Sequence, residues 1–290
     1  MLARYPKAFE NIPAVQLHHA GKSIVAWFRQ ADEPGREEGF LTENTLVFIL
    51  RGTKHIHLAD GDLIAHAGDL VLLKRGVYFM TDFITGGADY QSLLLCMDDA
   101  LLRSFLPEDD DNRKTPSPGS AGPMVVTCEN AVLEIRNAIL RYLEQPGHHT
   151  TKLLELKIHE VLLLLLSGPL QERVQAFLQQ MFDSSAENIS TIIRDNLVQP
   201  FTLEEYAKMC GLSLSTFKRE FSKLYNAPPK KWINEERLKH ARHLLLQSGK
   251  NVNEIAWECG FENVSYFIKQ YRQQYGTTPK NAQRTKNAIF

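Results

Sequence analysis

Cysteine is scarce in this chain, and long apolar runs are missing. Among 290 residues there are four cysteines, Cys96, Cys128, Cys210 and Cys259, and no two form a Cys-x-x-Cys pair. Zinc-site spacing is therefore absent, so neither a metal nor any other cofactor is expected. The longest apolar run, residues 161–166, is far below the roughly 20 residues that cross a bilayer, which excludes a membrane partner of that kind. The opening "MLARYPKAFENIP" lacks the apolar centre of a secretion signal, so a cytoplasmic protein is expected. Net charge is nearly absent too, at −1. That balance hides an asymmetry: residues 188–290 carry 16 Lys and Arg against 9 Asp and Glu, or +7, and the remainder carries −8. A basic C-terminal end points to a polyanion partner.

What is present is a core-forming composition, 43% hydrophobic and 23% charged, in a length that suits about two domains. Residues 24–97 read as β. Short apolar runs such as "NTLVFILRG" are split at Asp60-Gly61, Gly68-Asp69 and Arg75-Gly76, where tight hairpin turns are expected. Strands at this spacing predict a sandwich or barrel over 1–106. The stretch "PEDDDNRKTPSPGSAGP", 107–123, is acidic and rich in Pro, Gly and Ser, and predicts a flexible loop or linker. Residues 124–186 are assigned to a helical segment, with helices expected over 129–145 and 151–166. In the second of these Leu153, Leu156, Val161 and Leu164 lie on or near one face, with Leu154, Ile158, Leu162 and Leu165 beside them. So apolar a helix is buried on most sides, as a core helix or a subunit interface. For the interface the candidates are Leu156, Val161 and Leu164.

From 187 to 290 the pattern is helical and written twice. "EEYAKMCGL" at 204–212 and "NEIAWECGF" at 253–261 align Glu205 with Glu254, Ala207 with Ala256, Cys210 with Cys259, and Gly211 with Gly260. Thr202 with Glu205, and Asn251 with Glu254, predict capping boxes at two helix starts. Gly211 and Gly260 stand where a left-handed backbone leaves a helix. Ser213 and Asn263 are expected caps of the next helices, with Phe217, Phe221 and Leu224 facing inward in the first. Each copy thus reads as a helix-turn-helix. The intervening 228–247 predicts a long helix with a core stripe of Ile233, Leu238, Ala241 and Leu245. Its span of about 30 Å approaches the roughly 34 Å repeat of DNA, so one rigid helix can hold two recognition helices on one face of a duplex.

The stretches "FTLEEYAKMCGLSLSTFKREF", "NEERLKHARHLLL" and "VNEIAWECGFENVSYFIKQYRQQYG", with Pro279, resemble the DNA-binding domain of AraC/XylS-family bacterial transcription regulators. The β region resembles that family's cupin-like sensory domain. "LVFILRGTKHIHL", "LKIHEVLLLLLSGPL" and "TFKREF" look most like the branch that activates type III secretion genes. The resemblance implies an α+β chain: an N-terminal cupin-like β-barrel with flanking helices, then an all-α domain of two helix-turn-helix units joined by a long helix. It further implies a homodimer and a sequence-specific activator that works with RNA polymerase on double-stranded promoter DNA. Control is expected through the N-terminal domain, by a small molecule or a regulatory protein. Three positions depart from the family pattern: Ile268 where polar contacts are common, the Pro228-Pro229 pair, and Ala282 in place of an aromatic.

The positions matching the family's base-reading residues are Ser215, Lys218 and Arg219 on the first recognition helix. On the second they are Val264, Ser265, Ile268 and Lys269. Arg and Lys donate to guanine O6 and N7, and apolar side chains touch thymine methyls. Lys230, Lys231, Lys250 and Lys280 near helix starts suit phosphates, which position without specifying. A rival class is a cupin-type metal enzyme fused to a DNA-binding module, since His55 and His57 are two apart on a strand and share a face, with His66 nearby. The region after His57 reads "LADGD" and lacks the glutamate of the common cupin metal pattern, so the chain is not expected to be an enzyme.

Overall fold

The computed structural model describes residues 2–31, 37–58, 61–84, 89–106, 122–182 and 185–287. The chain divides into two compact units, Met1–Met181 and Phe182–Phe290. Most of the expected linker, 107–121, lies outside the described residues, as does Asp60.

The first unit opens with β1 (Ala3–Tyr5), a 3-10 turn (Lys7–Asn11), β2 (Val15–Ala20), β3 (Ser23–Gln30), β4 (Glu37–Leu41) and β5 (Asn44–Arg51). It continues with β6 (Thr53–Leu58), β7 (Gly61–His66), β8 (Asp69–Leu73), β9 (Gly76–Phe83) and β10 (Tyr90–Met97). A short α1 (Asp99–Arg103), β11 (Met124–Thr127), α2 (Asn130–Glu144), α3 (Thr150–Ser167) and α4 (Gln171–Met181) complete it. One sheet runs β1-β4-β9-β6-β7, the other β11-β8-β5-β10-β3-β2. Both contribute to a shared core that includes Leu41, Ile56 and Ala65 from the first, and Ala26, Val47, Val71 and Leu94 from the second.

Two expected hairpins are corners instead. β7 pairs with β6, whereas β8 pairs with β5 and β11, so the chain changes sheets at Gly68. It changes again at Arg75–Gly76, because β9 pairs with β4 and β6. A turn residue marks a reversal but not which sheet receives the next strand; burial decides that. Six of the eight residues of β5 are buried, because alternate side chains face both the shared core and the helix-covered outer face. A strand buried on both sides loses its alternation and reads as one apolar run. α3 packs on β2, and Lys74 of the sheet's rim sits over the Phe177 ring of α4 at 6.0 Å.

On α3 the buried residues include Leu154, Ile158, Val161, Leu162 and Leu165. Val161 is thus core within its own subunit and is removed from the interface candidates; Leu164 is half-buried. The outward apolar pair is Leu156 and Leu163, 54% and 55% exposed. Their separation of seven residues is two helical turns, which keeps them on one stripe.

The second unit contains α5 (Ala186–Asp195), α6 (Leu203–Met209), α7 (Leu214–Tyr225), α8 (Pro229–Gln247), α9 (Val252–Glu258), α10 (Val264–Tyr275) and α11 (Pro279–Asn287). Both capping boxes form: Thr202 and Glu205 exchange bonds of 2.8 and 3.1 Å, and Asn251 and Glu254 bonds of 2.8 and 3.0 Å. Ile189, Ile192, Ile193 and Leu197 suggest a helix continuing toward Pro200, but α5 stops at Asp195. The Leu197 and Gln199 carbonyls turn instead to the Arg237 guanidinium.

Candidate nucleic-acid interface

Each helix-turn-helix is positioned by its own aromatic core. In the first copy Phe217 and Phe221 are fully buried on α7, and Phe221 meets Trp232 of α8 edge-on at 5.7 Å. In the second, Phe267 and Tyr271 are buried on α10, and Phe261 packs on Phe267 at 5.1 Å. Gly211 (φ +65°) and Gly260 (φ +78°) make the two turns in the left-handed region. Cys210 and Cys259 are buried packing residues, and burial pushes the Cys259 thiol up to about 12.

With Phe217 and Phe221 inward, Ser215, Lys218 and Arg219 stand exposed on α7. Arg219 Nε donates to Glu220 Oε1 at 2.9 Å, and Lys223 Nζ reaches the same carboxylate at 3.1 Å. Those bonds, the Arg219 one foremost, hold the Glu220 carboxyl below its usual range. Leu224, expected inward, is 39% exposed; it lies three residues from Phe221 but past the edge of the stripe that α8 covers. Ser213 Oγ accepts from the Thr216 amide at 3.2 Å and fixes the start of α7.

On α10, Ser265, Ile268 and Lys269 are exposed, Ile268 at 36%. Val264 is half-buried against the core of its own copy, so only part of it is free. Sequence reading missed Tyr266, an exposed ring on this helix whose hydroxyl accepts from Asn234 Nδ2 of α8 at 2.9 Å. Lys230, Lys231 and Lys280 are exposed, whereas Lys250 is tied to Glu258 at 2.5 Å. Ala282, where the family pattern has an aromatic, packs against the second copy's core.

The residue that sequence reading missed most clearly is Arg237. It occupies the ladder Ile233, Arg237, Ala241, Leu245, four buried positions at helical spacing. A charged residue in that ladder is the signal that was available.

In the first unit, a cavity of about 390 Å³ opens between the sheets. Its walls include Phe9, Phe28, Val47 and Leu94, and its polar groups include Lys54, Asp82 and Ser92. Lys54 Nζ and Asp82 Oδ1 lie 2.5 Å apart, both nearly inaccessible. Burial pulls the Lys54 pKa down, but Asp82 more than restores it, so the ammonium is held above its usual range. Tyr90 Oη is buried nearby, beside Lys54 and Ser92. Lys54 shares the inward parity of Ile56, which is how the sequence carries this feature.

Of the three histidines of the rival reading, His55 and His57 share the Asp62 carboxylate, at 3.7 and 2.8 Å, while His66 stands apart. His57 spends Nδ1 on Asp62 Oδ1 (2.8 Å) and Nε2 on Thr81 Oγ1 (2.9 Å), while His66 Nδ1 meets Thr53 Oγ1 at 3.4 Å. His55 and His57 alternate with the buried Ile56 and so lie on the outer sheet face, away from the cavity. Among the described residues no three His, Cys, Asp or Glu side chains form a metal-holding group, and no helix is long and apolar enough to cross a membrane.

Comparison with known proteins gives the same division. Residues 44–177 match the ExsA N-terminal regulatory domain, and residues 206–285 match a helix-turn-helix domain. The HTH-type transcriptional regulator ExsA of Pseudomonas aeruginosa is 26% identical over 255 residues, covering 84% of this chain and 87% of that protein. The virulence regulon transcriptional activator VirF of Yersinia enterocolitica is 35% identical over 136 residues, 47% of this chain and 50% of that protein. The transcriptional activator RhaS of Shigella dysenteriae is 24% identical over 96% of this chain and 99% of its own length. With a regulatory β domain followed in sequence by two capped helix-turn-helix units on a shared helix, the chain has the domain composition of the AraC/XylS-family DNA-binding transcription regulators it resembles, type III secretion activators among them.

Proposed function

We propose that this protein activates transcription as a cytoplasmic homodimer, reading promoter DNA through α7 and α10 and recruiting RNA polymerase there. The observation that carries the reading is the exposed Ser215–Lys218–Arg219 face of α7 opposite the buried Phe217 and Phe221. On α10, Ser265, Lys269, Ile268 and the free edge of Val264 take the corresponding part. Lys230, Lys231 and Lys280 serve phosphates, with Lys250 released from Glu258 to join them. The names of VirF and RhaS as activators support the sign of the regulation. Functionally the chain divides as 1–106 sensory barrel, 107–123 linker, 124–186 dimerisation segment and 187–290 DNA-binding domain. Dimerisation uses Leu156 and Leu163, with Leu164 at the edge of the patch.

Of the two kinds of effector, the small molecule is favoured, because the barrel holds a cavity within the roughly 300–1,000 Å³ range of ligand sites, apolar with a few polar groups. Its Lys54–Asp82 ion pair, an ammonium beside a carboxylate, suits a molecule that both donates and accepts hydrogen bonds.

The test is selection from random-sequence duplexes by the purified full chain, followed by footprinting and run-off transcription with RNA polymerase. Enrichment of a site whose two protected segments lie about one helical turn, roughly 10 base pairs, apart is expected, with more transcript from a promoter carrying it. No enrichment over random DNA overturns the reading. For the interface, Leu156→Glu is expected to leave a folded monomer by sedimentation; a wild type already monomeric at all concentrations rejects a homodimer.

A further inference from the structure

The Arg237 side chain is 7% exposed, and three main-chain carbonyls receive its guanidinium. Nε donates to Leu197 O at 2.7 Å, Nη2 to Gln199 O at 2.5 Å and Nη1 to Gly260 O at 3.1 Å. Leu197 and Gln199 belong to the turn that leads into α6, the start of the first helix-turn-helix. Gly260 is the turn of the second. Arg237 itself projects from the middle of α8, the helix that connects them. One side chain therefore meets both DNA-reading halves from the rod between them.

Two neighbours close the joint. Tyr206 of α6 donates its hydroxyl to Asn196 O at 2.7 Å, so the 196–199 turn is also fastened to the first copy. Gly260 packs so tightly that an added Cβ there meets Val198 O at 2.5 Å and Arg237 Cζ at 3.1 Å. Only arginine suits the position. Its planar fork offers five N–H donors in fixed directions, whereas lysine is a point charge on a flexible stem and cannot hold three divergent carbonyls at once. Burying a charge is costly unless its hydrogen bonds are met, and a core stripe could have used leucine here. A stability role alone gives no reason for a cation at this point; a fixed angle between three segments does.

We infer that Arg237 is a positioning residue for DNA binding, which sets the spacing and orientation of α10 relative to α7. This rests on the proposal that both helices enter the groove. Two linked modules bind far more tightly than either alone only when their geometry matches the two sites together, and that advantage disappears when the geometry is lost. Arg237 touches no DNA in this scheme and acts entirely through the frame.

The test uses the full chain and a duplex selected with the wild type, in three forms: the intact site, the site with one base pair inserted between its two segments, and a duplex keeping only the segment protected by α7. Arg237→Lys is compared with the wild type, with circular dichroism as the check on folding. The expected result is a loss of about tenfold or more on the intact site, less than about threefold on the single-segment duplex, and a smaller penalty for the inserted base pair than the wild type shows. Equal losses on all three duplexes overturn the inference, since that is the mark of a destabilised fold. So does an unchanged insertion penalty. If the wild type selects only single-segment sites, it is the two-helix reading that fails. Spin labels at the exposed Ser222 and Gln273 supply a readout without DNA: the α7–α10 distance distribution is narrow in the wild type and broadens in Arg237→Lys. A distribution as narrow as the wild type's overturns the inference; should Arg237→Lys not fold, Gly260→Ala, which pushes on the joint from the other side, takes its place in both measurements.

Discussion

The two helix-turn-helix copies share caps, turns and aromatic cores, yet they end differently and lean on different things. α7 leaves its helix through Asn226 at φ +49°, α10 through Gly276 at φ +72°. The α7 surface is polar and its arginine is paired with Glu220; the α10 surface mixes Ser265 and Lys269 with Ile268 and a half-buried Val264. Glycines of similar φ in the second copy also differ: Gly260 abuts Val198 and Arg237, whereas nothing lies within 4 Å of a Cβ built on Gly276. A repeated pattern thus preserves a backbone path, while the load on each position is set by what packs against it.

The sharpest way to break the comparison is to substitute both glycines. Gly260→Ala combines a left-handed backbone, which costs an L residue about 1–2 kcal/mol, with overpacking against main-chain atoms, about 1–3 kcal/mol more. Gly276→Ala carries the first cost alone. Hydrogen-exchange protection of the α8–α10 amides, which reports local opening free energy, is expected to fall several-fold further in Gly260→Ala. Equal effects would mean that the Val198 contact yields without cost and that only the turn geometry matters.

The next comparison concerns the recognition surfaces. A bidentate base contact gives about 1–3 kcal/mol of discrimination, while a phosphate contact weakens all sequences alike. Arg219→Ala or Lys218→Ala is expected to lower affinity for the selected site and flatten preference at one or two base pairs. The Glu220 pair does not oppose this, because exposed pairs contribute about 0–1 kcal/mol. Lys269→Ala is expected to weaken selected and scrambled DNA evenly and to reduce the slope of log affinity against log salt by about one. The roles are reversed if Lys269→Ala alone changes base preference.

Much of this frame is legible in the amino-acid sequence. Thr202–Glu205 and Asn251–Glu254 announce helix starts through local chemistry, and Phe217, Phe221, Phe267 and Tyr271 announce faces through spacing. Both signals live within a few residues. What stayed hidden depends on contacts distant in sequence. Gly68 and Arg75–Gly76 mark turns whether the next strand stays in the sheet or crosses to the other, so the corners were read as hairpins. Val161 and Leu156 are equally apolar, and only the packing of α3 on β2 and its helical neighbours separates core from surface. Arg237 is bonded to carbonyls 40 and 38 positions before it and 23 after it. Its place in an apolar ladder signals that something is held there, but not what. The Lys54–Asp82 pair, 28 positions apart, is of the same kind.

The smallest expected effect lies at the two helix exits and separates strain from entropy. Asn tolerates the left-handed region better than other non-glycine residues, because its short polar side chain bonds locally. Asn226→Gly removes the remaining strain, but it also loosens the unfolded chain, an opposing effect of about 0.4–1 kcal/mol. The two nearly cancel, so a net change within about 0.5 kcal/mol is expected. Asn226→Ala has no such compensation: alanine gains nothing locally in the left-handed region, and a loss of about 1 kcal/mol is expected. Amide exchange at the end of α7 measures both. A loss well above 1 kcal/mol in Asn226→Gly contradicts the argument, because it means that the exposed Asn226 side chain makes a contact of its own. Gly276→Asn in the other copy is the control. With open space around it, asparagine should be accepted there at a cost below that of alanine, and a larger cost shows that the two exits do not follow one rule.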